Sequence, residues 1–403
     1  MPPSTSLLSS LQEENARLRR QNASRESELR KLKQQHRNPK TNKRVIPHLA
    51  GRHFIRIVSM FDSVKAIMDE SDRRAELRNG EPPLSDKDIE AQSTLDQCRL
   101  MNGHDHFKTH MHELYKIVID ADPDDLMDLY IQIDKAAERA RSADIHMLKS
   151  QVILWLPDYY NHDITPAIIR DDKSDRGFEH PATADLLIAP DMDWNHPTTR
   201  ACILAAANGY YIDHNIVPKF CYPKGHVLDV NNTSKHFDNE LLYKTWSSIF
   251  FSPSAGNAFQ LADTTTRSST QSKHNRKSYS RRDGNADTIQ LGEVTTRSIG
   301  YSVVMLHHAL SDVTTWHDDS EDFSNHQFYN NIIDFFENSQ QDICRNREIL
   351  KRWNKIMFSS RRTSKKYGLS SSSPSVSAST FSSIARQVPH SLTDDDDEIE
   401  ELD

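Results

Sequence analysis

Glycine and cysteine are scarce in this chain, and no stretch stays apolar for long. Eleven glycines among 403 residues, with β-branched alternation rare, give a sheet-rich fold little support. The four cysteines (Cys98, Cys202, Cys221, Cys344) lie far apart and form no CxxC pair. That argues against a thiolate zinc site or a disulfide framework and fits a reducing compartment. No run approaches the roughly 18 apolar residues of a spanning helix, and the opening MPPSTSLLSSLQEEN lacks the apolar core of a signal peptide. The expectation is no membrane, and a place in the nucleus or otherwise the cytoplasm. Nucleophile-elbow, P-loop and dinucleotide fingerprints are missing as well, so no catalytic residue, metal ligand or cofactor is assigned.

What is present is charge, unevenly spread. The net charge of −8 and mean hydropathy of −0.72 conceal a basic start and an acidic end. Residues 1–44 hold eleven Lys and Arg against four Asp and Glu, whereas all eight acids after position 358 fall in the last ten residues. Within residues 7–36 a heptad seam reads Leu8, Leu11, Asn15, Leu18, Asn22, Arg25, Leu29, Leu32. Buried Asn at such positions fixes register at a cost in stability, so the segment reads as a short coiled coil that forms a homodimer, or as a solvated single helix. The basic run after it includes Arg30, Lys31, Lys33, Lys43 and Arg44. A leucine-zipper transcription factor places its basic region before the zipper, so the order argues against that class. A bipartite import signal and an ordinary charged linker both fit.

The middle of the chain reads as helix. Phe54, Ile57, Val58, Phe61, Val64 and Met68 follow a buried 3-and-4 stripe. Ser85 with Asp88 looks like a cap, and Asp122-Pro123 like a helix start before Leu126, Leu129, Tyr130 and Ile133. A further helix through Ile145, Leu148, Val152 and Trp155 is expected to stop before Pro157. His196-Pro197 opens another that runs to Ala207, with Gly209 as its stop. Helices are also expected over Leu241 to Phe250, Ile299 to Leu310, Phe328 to Phe336 and Ile349 to Met357. Residues 254–293, rich in Ser, Thr and Arg, read as a mobile insertion, and residues 359–403 as a disordered Ser-rich and acidic tail. The fold class is therefore mostly α: one large irregular helical domain over 45–358, with an N-terminal short coiled coil and a disordered acidic C-terminal tail.

The densest chemistry lies in residues 164–190, ITPAIIRDDKSDRGFEHPATADLLIAP. Asp171, Asp172 and Asp175 are hard oxygen donors that suit a divalent cation, but Arg170, Lys173 and Arg176 can neutralise them within the same loop. Thr165-Pro166 and His180-Pro181 both look like helix starts. The bland reading is a salt-bridge and capping network; the sharper one is a binding segment made of Arg170, Asp171, Asp172, Lys173, Asp175, Arg176 and His180. The histidines of NGHDHFKTHMHE (His104, His106, His110, His112) lack the HExxH order and read as a neutral surface helix. His307 and His308 read as core packing. Arg276, Lys277, Arg281 and Arg282, with the N-terminal basic run, are candidates for non-specific phosphate contact, although a single interleaved Tyr279 is poor in stacking aromatics.

The ITPAI…DDKSDRGF…HPATA run, with WSSIFFSPSAG, VTTRSIGYSVVMLHHALS and FYNNIIDFFE further on, resembles an uncharacterised family expanded in mushroom-forming basidiomycete fungi. The likeness covers about residues 150–358. It implies a fungal intracellular protein carrying a domain of unknown function, and it supplies no activity, cofactor or site residue. The expected role is a non-catalytic interaction module with an unidentified protein partner, self-associating through its coiled coil. The alternatives are a nucleic-acid-associated protein of mobile-element origin and a metal-dependent hydrolase using Asp171, Asp172 and Asp175.

Overall fold

The computed structural model describes residues 45–207, 209–225, 235–259, 286, 291–320, 323–338 and 343–366. Residues 7–36, both basic runs and the acidic tail lie outside them. So do Arg30, Lys31, Lys33, Lys43, Arg44, Arg276, Lys277, Arg281 and Arg282. Met1–Met357 form one compact unit and Phe358–Asp403 a second. In the second unit, residues 358–366 are helical.

Among the described residues the structure is helical and has no strand, only an isolated bridge between Asp319 and Ser324. The first half comprises α1 (Val45–Ile57), α2 (Val64–Asn79), α3 (Asp86–Gln92), α4 (Leu95–His110), α5 (His112–Ile119) and α6 (Pro123–Tyr160). After it come α7 (Pro181–Leu187), α8 (Pro197–Leu204), α9 (Glu240–Phe250) and α10 (Pro253–Asn257). The last three are α11 (Thr296–Leu310), α12 (Asn325–Glu337) and α13 (Ile343–Lys366). Caps set many of the starts: Ser63, Ser85 and Thr94 accept from Ala66, Asp88 and Gln97 N–H, and Thr94 and Gln97 close a reciprocal box.

Several boundaries differ from the sequence pattern. The stripe from Phe54 to Met68 is split between α1 and α2, because residues 58–63 turn and Phe61 is only half-buried. The two helices expected between Asp122 and Trp155 are one helix of 38 residues. Its buried positions, Tyr130, Ile133, Ala137, Ala140, Asp144, Leu148, Val152, Trp155 and Tyr159, keep 3-and-4 spacing throughout. A carboxylate in mid-stripe hides that continuity from a hydropathy pattern. The helix also passes through Pro157, which gives up one backbone bond, and closes at Asn161 in the left-handed region at φ 60°. Helix α8 ends at Leu204, short of Ala207, and residues 254–257 of the expected insertion are helical in α10. The Trp155 indole N–H ties α10 down by donating to the Asn257 side-chain oxygen at 2.8 Å.

Two helices lie at the centre. All of α9 except Glu240, and all of α11 except Thr296, is buried. A helix buried on all sides belongs inside a protein, and several polar residues of this pair find partners within it, although Ser248 Oγ and His308 Nε2 are buried without one. Thr245 and Ser302 donate to carbonyls four residues back, and the Trp246 indole donates to Ser298 Oγ at 3.1 Å. A buried triad ties α11 to α1 and α6. Arg56 donates twice to Asp144, at 2.8 and 2.6 Å, and the Tyr301 hydroxyl donates to the same carboxylate at 2.8 Å.

Helices α1 and α6 meet at Gly51. A Cβ there would lie 2.1 Å from the Ile133 carbonyl oxygen and 2.6 Å from Ala136 Cβ, so the two backbones are in contact. Gly51→Ala must push them apart. The expected loss is about 3 kcal/mol, at the upper end of overpacking costs, read as a lowered urea midpoint with an unchanged slope.

Candidate functional site

The segment after α6 holds every residue of the expected binding segment, and the structure disperses them. Residues 161–176 contain no helix; a single 3-10 turn, Gly177–Glu179, precedes α7. Thr165-Pro166 therefore does not open a helix. The peptide there is cis, and the Pro166 carbonyl accepts from His180 Nε2 at 2.8 Å instead of starting an intrahelical ladder. His180-Pro181 does open one. The other ring nitrogen of His180, Nδ1, accepts from Ala182 N–H at 3.1 Å, so a neutral imidazole protonated on Nε2 fills both roles. Thr183 Oγ closes the corner by donating to the Gly177 carbonyl at 2.8 Å. Gly177 sits at φ +61°, and a Cβ there would lie 3.1 Å from the Asp312 backbone nitrogen.

The charges are not paired as the sequence suggested. Lys173 and Arg176 are almost completely buried, and neither makes a hydrogen-bonded ion pair with a loop carboxylate. Instead they close the C-terminal end of α11. Lys173 Nζ donates to the His308 carbonyl at 2.5 Å and to the Val313 carbonyl. Arg176 donates to Ala309 at 2.9 Å, and also to the Asp172 and Arg170 carbonyls of its own loop. The last carbonyls of a helix have no intrahelical donor and carry its negative pole, so two cations here satisfy α11 from a loop about 135 residues away in sequence. Burial, then Arg176, pushes the Lys173 ammonium down to about 7.

The aspartates turn elsewhere. Asp172 is exposed and accepts from Ser174 N–H and Oγ, both at 2.9 Å, which holds its carboxyl below the ordinary range. Asp175 is half-buried; Oδ2 accepts from Ile169 N–H at 2.9 Å, while Oδ1 is buried without a partner. Asp171 and Arg170 are exposed. The three carboxylates share no site. Among the described residues, no group of three or more His, Cys, Asp or Glu is placed to hold a metal ion.

Three of the four histidines read as a surface helix are more deeply placed than the pattern implied, while His112 is exposed. His104 is buried, with Nε2 3.1 Å from the Tyr115 hydroxyl. His106 lies against His110, ring centroids 5.3 Å apart, and 3.6 Å from Glu337. That glutamate is taken up by Arg297, through bonds of 3.0 and 2.9 Å. His307 stacks on Phe323 with centroids 4.0 Å apart, and both His307 and His308 are buried, as core packing requires. The available signal was that His106 and His110, four apart, share one face of their helix. The sequence did not show which helix lay opposite. An open cleft of about 450 Å³ elsewhere, lined by Asp191, Met192, Asp193, His196 and Tyr210, includes none of the expected residues.

Burial lowers His53, His307 and His308 to about 3 and His106 to about 4. Folded values lie below the unfolded 6.5, so between them the unfolded chain binds more protons and acid favours unfolding. Stability should therefore fall from about pH 6.5 towards pH 4, by up to about 1.4 kcal/mol per pH unit for each such histidine. Urea titrations in that range should show the slope, and His308→Gln should flatten it. For the corner itself, Arg176→Met should cost about 1–3 kcal/mol by stranding buried carbonyls. Asp171→Ala should leave the melting temperature unchanged. Thermal melts of the two variants check this contrast.

No curated protein matches the chain, and no solved structure does. One family model does match, over residues 135–358, from the middle of α6 to α13. That stretch is more than half of the chain and contains the corner, α9 and α11, so the chain belongs to the family of unknown function DUF6698.

Proposed function

We propose that the protein is a non-catalytic helical interaction module that self-associates through the heptad seam of residues 7–36. The observation that carries the non-catalytic part is the commitment of the central segment's reactive groups. Lys173 and Arg176 are spent on the end of α11, and His180 bridges Pro166 and Ala182. Asp172 and Asp175 bind amides of their own loop. A hydrolase built on Asp171, Asp172 and Asp175 would need them to converge on one ion; they diverge. What faces outward includes apolar side chains on helices, among them Met127 and Ile131 one turn apart on α6, as a binding surface requires.

The leucine seam supplies the self-association. In this reading the family is fungal, on the likeness of its central motif, and the bipartite basic clusters take the protein to the nucleus. A second reading rests on those same clusters and on Arg276, Lys277, Arg281 and Arg282: non-specific, salt-sensitive contact with nucleic acid.

Light scattering of the full chain is the test of self-association. The expected mass is twice 46.3 kDa, falling to one copy for Leu11→Glu/Leu18→Glu. A single copy for the unaltered chain at high micromolar concentration would remove the seam from the proposal.

A further inference from the structure

The connection between α5 and α6 joins a run of aspartates to a group of exposed apolar side chains. From Ile117 to Asp134 the chain carries six aspartates and no Lys, Arg or His. Asp120, Asp124, Asp125 and Asp128 are exposed and form no ion pair with a described residue. Asp124 and Asp125 complement the positive end of α6; Asp120 precedes the helix and Asp128 lies beyond its first turn. The same corner exposes Ile119, Met127 and Ile131 at 54%, 48% and 44%. Met127 and Ile131 are four apart and share a face.

The direction of α1 brings a complementary segment to this corner. Gly51 packs against Ile133, Ala136 and Ala137, and Arg56 reaches Asp144, so α1 and α6 run the same way. Going back from Gly51 to Val45 along a parallel helix moves about 9 Å towards the start of α6, to the level of about residue 129. The chain before α1 therefore leaves at the level of the first two turns of α6, with the Asp124, Met127, Asp128 and Ile131 face round the far side of that helix. Residues 30–44 contain seven Lys and Arg and no acid, with Leu32 inside and Leu29 just ahead. Fifteen residues reach up to about 50 Å, far more than the corner requires.

We propose that the basic segment 30–44 folds back in cis onto the acidic, apolar corner formed by the end of α5 and the first two turns of α6. Lysine and arginine face the aspartates, and the methylene stems of those side chains cover Met127 and Ile131. The contact occupies the cations that would serve for nuclear import or phosphate binding, so the corner acts as their internal competitor. It stands whether or not residues 7–36 pair two copies. It also lies upstream of the stretch matched by the family model.

The experiment uses the full chain, as an equal mixture of normal and ¹⁵N-labelled protein, coupled by carbodiimide at low salt. Mass spectrometry should find Lys31, Lys33 or Lys40 joined to Asp120, Asp124, Asp125 or Asp128 within one isotopic form. Links only between forms would assign the corner to a second copy and overturn the cis contact; no links would overturn it outright. Limited trypsin digestion of Asp124→Asn/Asp125→Asn/Asp128→Asn should cut at 30–44 several-fold faster than the unaltered chain. Equal rates, with unchanged helicity by circular dichroism, would also overturn it. A monomer in light scattering with links intact would remove self-association and leave this contact standing.

Discussion

A buried helix must have both its ends satisfied, and α11 is that helix here. Its side chains fill the centre of the first unit, so neither its first amides nor its last carbonyls can turn to water. At the start, Thr295 and Ser298 form a reciprocal cap, and Arg297 fastens the first turn to Glu337 and to the carbonyls of Val58 and Arg99. At the finish, the Ser311 hydroxyl, Lys173 and Arg176 take the carbonyls of His308 and Ala309. Much of the rest follows from these attachments. The loop after α6 is non-helical over residues 170–176, and its two buried cations reach the end of α11. The 3-10 turn at Gly177 and the start of α7 at His180 mark where that loop ends.

Burying these ions is expensive in itself. A desolvated Arg–carboxylate pair often does no better than an apolar replacement, though breaking one partner leaves a stranded charge. Arg56–Asp144 and Arg297–Glu337 each have two hydrogen bonds and further partners, Tyr301 for Asp144 and backbone carbonyls for Arg297. Each also joins segments distant in sequence, by 88 and 40 residues. Their geometry fixes which helix lies against which, a constraint a core of interchangeable leucines would leave loose.

Much of the helical order was legible because it depends on local chemistry. Ser85, Asp122-Pro123 and His180-Pro181 mark starts through their own side chains or ring, and the 3-and-4 spacing in α9, α11 and α12 is strong. Pairing was not legible. Lys173, Asp172, Asp175 and Arg176 look like a self-neutralising cluster when only neighbours in sequence are considered, yet the cations serve a helix end more than 130 residues on. The continuity of α6 was hidden by Asp144, a charge that makes sense only once Arg56 and Tyr301 are beside it. For the histidines of α4, the deciding fact was the position of Glu337 and Arg297 on other helices. In each instance the residue type was visible while its partner lay beyond the reach of periodicity.

The same partners set the limits of the folding unit. The family match begins within α6, yet the contacts that complete the matched stretch come from before it. Asp144 lies inside the match and its partner Arg56 outside. Arg297 lies inside, while the Val58 and Arg99 carbonyls it binds lie outside. Cutting the chain where the match starts would leave two buried charges short of partners, remove the first turns of α6, and expose the alanine face that Gly51 covers. Helix α1 and its neighbours therefore complete the core of the matched stretch. The contacts that hold α6 and α11 in place reach back beyond the match, to Arg56, Val58 and Arg99.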